Sequence, residues 1–217
     1  MTQPNSMPWK ALVIAVLISI AVAALRFLGQ VQGWITTSSG GGLHPVGVVW
    51  LPFLFGPVFA ARLARSGSAP RMRRSSAIGV VGLLLIVGVV IWQFAPIADL
   101  PGSDPAAKEA TNKALFASFV ATLVVFAVHA ASWWKLALTM ICYAVPVRLA
   151  VIALTAIAKQ MDYDTHYTKF GPSGEQFDLA TTLTTASIAQ LGFWVPFAVV
   201  CGFATGSFFG PKPKPQA

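Results

Sequence analysis

Charge is what this sequence has least of. Only 10% of its 217 residues are Asp, Glu, Lys or Arg, whereas a soluble domain carries about 25%; 56% are hydrophobic and the mean hydropathy is +0.70. One soluble core cannot hide that much apolar side chain, so lipid must cover the remainder. Acids are scarcer still: there are 7, and none lies within an apolar run. The two cysteines, Cys142 and Cys201, both sit in apolar runs. That excludes an extracellular disulfide framework, and with no cation nearby to stabilise a thiolate they read as packing residues. Catalytic signatures are missing too. There is no Gly-x-Ser-x-Gly elbow, no His-Glu-x-x-His pair and no dinucleotide loop, and Gly40-Gly41-Gly42 lacks the Gly-Lys-Ser/Thr that grips phosphate. No cofactor is implied, and a non-catalytic role is the more natural expectation. The formal charge of +8 does not signal nucleic acid, because no basic face interleaved with aromatics accompanies it.

What is present is a series of apolar runs near 11–28, 46–63, 77–94, 114–131, 136–158 and 183–203. At about 20 residues per crossing they predict an all-α, polytopic transmembrane helix bundle of about six helices, forming a single integral membrane domain over 1–217. The first run could be a signal peptide with Ala21-Val22-Ala23 as its cleavage site, but its head carries only Lys10 and the run continues past that site, which favours a retained helix. Ala15, Ser19 and Ala23 share a face of it suited to close helix approach, and Arg26 near its end is expected to snorkel to water. The second run holds Pro52, Gly56 and Pro57 and should be bent or interrupted, with carbonyls that side chains or water must satisfy. Trp50, and the pair Trp133 and Trp134, fit an aromatic belt at the membrane surface. Ser118, Thr122 and His129 share a face of the fourth run, and His129 reads more simply as a histidine satisfied by a carbonyl than as a proton relay.

Charge asymmetry gives a direction. Lys10, Lys135, Lys212, Lys214 and the loop bearing Arg62, Arg65, Arg71, Arg73 and Arg74 fall on one side; every acid falls on the other. The positive-inside rule then predicts both termini cytoplasmic in a cell (inner) membrane, with 159–182 as the longest outer loop.

Arg148 lies close to the middle of run 136–158, two residues after Pro146. An arginine at the centre of a membrane helix costs about 2.5 to 3.5 kcal/mol or more unless it meets protein, water or an anion. Spacings of seven and four place Arg148, Thr155 and Lys159 on one side of their helix, while Ser187 and Gln190 lie at similar depth on the last run. These five residues form a candidate ligand site in an outward-facing pocket, whose plainer reading is that Arg148 tethers the outer loop. Asp162, Asp164 and His166 alternate in a metal-like spacing that His44 could join, although a solvated polar loop explains them as well.

Three functions are compatible with this chain. One is a small transporter or binder of an anionic solute or lipid at Arg148. Two sets of three helices with proline-broken middle members would suit inverted repeats, though the residues of the halves do not match. The second is a non-catalytic accessory or scaffolding subunit, with a membrane-protein partner or a second copy of the chain. The third and weakest is an outer-surface, metal-dependent enzyme.

Overall fold

The apolar runs become helices in a computed structural model that describes residues 7–37, 44–72, 74–95, 105–169 and 177–210. They are α1 (Trp9–Val31), α2 (Leu51–Arg65), α3 (Ser75–Phe94), α4 (Pro105–Ser132) and α5 (Trp134–Gln160). Then α6 (Leu179–Ser187) continues through a π-helical segment (Ile188–Trp194) into α7 (Val195–Gly206) and a 3-10 turn (Ser207–Phe209). These last pieces form one rod, Leu179–Phe209. That rod and α1, α3, α4 and α5 are long and apolar enough to cross a bilayer, and the chain is therefore an all-α, multi-pass membrane protein of six helices among the described residues. Exposed rows such as Ile14 and Leu17 on α1, Leu84 and Ile91 on α3, and Phe116 and Val124 on α4 are the surfaces that lipid covers.

The second run behaves differently. Its helix has 15 residues, roughly 22 Å of rise, and begins at Leu51 rather than at residue 46. Pro52 stands in its first turn, where the missing N–H costs nothing, but it cannot carry a helix onward from upstream. The preceding segment is a turn: Val46 N donates to His44 Nδ1 at 3.1 Å and Trp50 Nε1 to the His44 carbonyl at 3.1 Å. Pro57 lies inside α2 and leaves the Phe53 carbonyl, four residues back, without its helical donor. Thr205 supplies one across the interface, its hydroxyl lying 2.9 Å from the Phe53 oxygen. The same interface is glycine on glycine. A Cβ added at Gly56 would fall onto the Gly202 carbonyl, and one at Gly206 would lie 2.7 Å from the Gly56 oxygen. Only bare backbones allow α2 and α7 to meet this closely.

The last rod is central, with α7 packed against α2, α3, α4 and α5, while α1 leans on α5 and α2. Run 136–158, by contrast, shares the middle rather than holding it alone. Between α4 and α5 the chain reverses at a single extended residue, Trp133. It is only 1% exposed, and its Nε1 donates to Ser68 Oγ at 3.0 Å. Trp133 is thus a core residue and not half of a surface pair; Trp134 alone is exposed. Arg71 N donates to the Ser132 carbonyl at 2.7 Å, closing what is called here the Trp133 end of the bundle. At the opposite, Tyr167 end, Ala23, Phe27, Val151, Ala158 and Tyr167 form a separate cluster. Along α1, Ala15, Ser19 and Ala23 are buried as their spacing predicts, and the Ser19 hydroxyl donates to the Ala15 carbonyl and accepts from the Tyr143 phenol at 2.7 Å.

His129 is buried on α4 with Ser118 and Thr122. Its Nε2 lies 3.2 Å from the Ile78 carbonyl and its ring stacks on Phe203, so a backbone carbonyl satisfies one ring nitrogen, while Nδ1 has no partner among the described residues. The glycine turn 40–42, Arg73, Asp99, Asp104, Glu175 and the lysines of the tail lie outside the described residues.

Candidate functional site

Arg148 projects from the middle of α5 and is 5% exposed. Its Nη1 donates to Gln190 Oε1 at 3.1 Å, and its guanidinium lies 5.1 Å from the ring centre of Trp194. Both partners belong to the π-helical segment. There the Val195 N–H reaches the Gln190 carbonyl five residues back, a wider turn than an α-helix makes, immediately before Pro196. Among the described residues no carboxylate pairs with Arg148. Its positive charge is held by a neutral amide and the face of an indole.

The remaining ligand candidates are distributed unevenly around it. Thr155 is buried, but its hydroxyl is committed to the Val151 carbonyl at 3.0 Å on its own helix. Ser187 is half-buried, one turn before Gln190. Lys159 is half-buried and lines a depression of about 250 Å³ with Ala158, Asp162, Tyr163, Asp164 and Thr168. So the structure brings Arg148 and Gln190 into contact, sets Lys159 at a separate, shallower opening, and leaves Thr155 beside them with its donor already used.

Arg26 departs from the sequence expectation. It does not snorkel: the residue is 5% exposed, and its Nε finds no hydrogen-bond partner among the described residues. The cause is the connection after α5, which folds back over the end of α1. There Gln30, one turn beyond Arg26, accepts from His166 Nδ1 at 2.7 Å and donates to the Thr36 carbonyl at 2.8 Å. Tyr167 donates from its phenol to the Ala23 carbonyl at 3.3 Å and packs its ring on Phe27. Burial pushes the Tyr167 phenol up to about 12, while the charges of Arg26 and Arg148 both pull it back. Burial also pushes His166 down to about 3, with Arg26 and then His44 adding to the effect. His166 is therefore a neutral imidazole whose Nδ1 carries the proton.

No family model, curated protein or solved structure matches this chain.

Three of the four candidate metal ligands are occupied separately. Asp164 forms an ion pair with Lys169 at 2.6 Å and accepts from Thr37 at 3.1 Å, and the Lys169 ammonium holds its carboxyl below the usual carboxylate range. His166 is bound to Gln30, and His44 folds onto its own turn. Asp162, at φ 53°, turns the chain at the mouth of the depression. Among the described residues no group of three His, Cys, Asp or Glu side chains could hold a metal ion.

Arg26, Gln30, Tyr167 and Trp194 were not among the sequence candidates. A signal existed for two of them. Gln30 follows Arg26, and Trp194 follows Gln190, by four residues, one turn along the same face.

Proposed function

We propose that this protein is a small transporter or binder that receives an anionic solute or lipid group at the Tyr167 end of the bundle, with Arg148 as the cation that meets it. The observation that carries this reading is a permanent charge, 95% removed from solvent and held, among the described residues, by neutral groups alone. Arg148 is 5% exposed, and Gln190 and Trp194 are what it contacts. A tether would be expected to end on a carboxylate, because a buried cation left without a counter-charge carries its full desolvation cost. The π-helical turn supports the same reading. It places Gln190 and Trp194 on one side of the rod, and such turns recur where a helix gives up regular bonding to position side chains. The positive-inside rule puts the arginine-rich loop in the cytoplasm, both termini with it, and the Tyr167 end on the outer side of a cell (inner) membrane. Gln190 then orients the guanidinium, Ser187 lines the approach from outside, Lys159 at its separate opening adds positive charge on that side, and Thr155 braces α5 alongside.

The test uses purified protein in zwitterionic nanodiscs titrated with sulfate. Wild type is expected to bind, and Arg148→Gln to lose at least tenfold in affinity while remaining monodisperse. Absence of binding by wild type, combined with collapse of Arg148→Gln and rescue of its folding by Arg148→Met, would return the residue to a purely structural role.

A further inference from the structure

Arg26 is the group for which the first reading has no use. It is a cation on α1, buried to the same degree as Arg148, and its Nε–H is unspent among the described residues. Thr165, fully buried in the connection that covers it, likewise has a hydroxyl with no partner among the described residues. Arginine can only donate, so the missing partner of Arg26 must be an acceptor. The described residues around it offer phenol and imidazole rather than carboxylate: Tyr167 is committed to Ala23 and His166 to Gln30.

We propose that Arg26 is the second arm of the site, so that the ligand it shares with Arg148 is a doubly charged oxyanion of the phosphate-monoester class, free or as a lipid headgroup. This rests on the reading of Arg148 as an anion receptor. Tyr167 lies between the two helices that carry the guanidiniums, its hydroxyl 3.3 Å from the Ala23 carbonyl of α1, three residues before Arg26, and its ring in one cluster with Val151 of α5, three residues after Arg148; both charges reach it. A single negative charge would neutralise one of them and leave the other buried and uncompensated; two negative charges on one compact group answer both. Planar guanidinium forks are the side chains best matched to that group, since each can present two N–H donors to two of its oxygens. The unspent Arg26 Nε–H and Thr165 hydroxyl are donors for its remaining oxygens. The connection at 165–167 forms the cover of the site.

The experiment compares monoester with diester, which differ by one charge at nearly constant shape. Protein in zwitterionic nanodiscs is titrated at pH 7.5 with glycerol phosphate and its methyl diester, and with short-chain phosphatidic acid and short-chain phosphatidylmethanol. Wild type is expected to prefer the monoester of at least one pair by tenfold or more, the size of one charge-assisted contact. Arg26→Gln is expected to weaken the monoester more than the diester, reducing that preference to within about twofold. Preference confined to the lipid pair identifies a headgroup; preference in the soluble pair identifies a free ester. Equal affinity of wild type for monoester and diester overturns the inference even if Arg26→Gln fails to fold, and so does a preference that survives in Arg26→Gln. In both cases diester binding that depends on Arg148 keeps the first reading intact. If wild type binds neither ester the inference falls, and the sulfate titration decides the first reading by itself.

Discussion

The two ends of this bundle treat the same side chain in opposite ways. At the Trp133 end, Arg62, Arg65, Arg71 and Arg74 are exposed and a tryptophan is buried. At the Tyr167 end two arginines are buried, one of them beneath the face of a tryptophan. The difference lies in what the backbone allows. Near the Trp133 end α2 and α7 meet glycine to glycine, and the reversal at Trp133 is tied by Ser68 and Arg71, leaving no room for a solvated cation. At the other end the chain before α2 is a turn, the last rod widens into a π-helix, and polar side chains occupy the space that a regular helix pair would fill. One end is built for close packing and the other for polar contact.

The sharpest way to break this comparison is to remove the close approach. Gly56→Leu should destabilise the fold by about 3 kcal/mol or more, because the added atoms meet backbone rather than a side chain that can move aside. Loss of the monodisperse peak in fluorescence-detected chromatography would register it. A variant of wild-type stability would mean that α2 and α7 are not locked together.

A second, intermediate effect tests the other end. His166 is held neutral by burial at about 3, whereas in an opened connection it titrates near 6.5. Between those values the open state binds more protons than the closed one, so closure is fully favoured above about pH 6.5 and weakens as pH falls, by up to about 1.4 kcal/mol per pH unit. Amide exchange in residues 165–169, corrected for its intrinsic pH dependence, should therefore accelerate by up to about tenfold per unit below pH 6.5. His166→Asn should flatten that slope. An equal slope in both proteins would mean that His166 does not govern the cover.

How much of this was legible follows the same division. The apolar runs could be read because membrane length leaves few alternatives, and Arg148 could be read because a charge in mid-run has no ordinary explanation. Gln190 was recognisable as a polar group at matching depth. Trp194 follows it by one turn, but that spacing alone does not separate it from core, since an aromatic in an apolar run reads as packing. Arg26 was misread for a definite reason: snorkelling assumes that the helix end is open to water, and local sequence cannot show that a distant connection folds over it through Gln30 and Tyr167. The start of α2 was missed because hydropathy continues through 46–50 where the backbone turns.

The smallest expected effect joins the two kinds of information. Pro57 announces in the sequence that the Phe53 carbonyl loses its helical donor, but only the fold shows that Thr205, on another helix, replaces it at 2.9 Å. Thr205→Val keeps the shape and removes the hydroxyl. Interhelical hydrogen bonds in membranes contribute about 0.6 to 2 kcal/mol, so the variant should remain folded with its melting temperature lowered by a few degrees. Thr205→Ser, which keeps the donor and loses only a methyl, should recover most of that loss. Equal melting of the Val and Ser variants would show that packing, not the orphaned carbonyl, is what Thr205 serves, and that α2 tolerates its proline without help from the last rod.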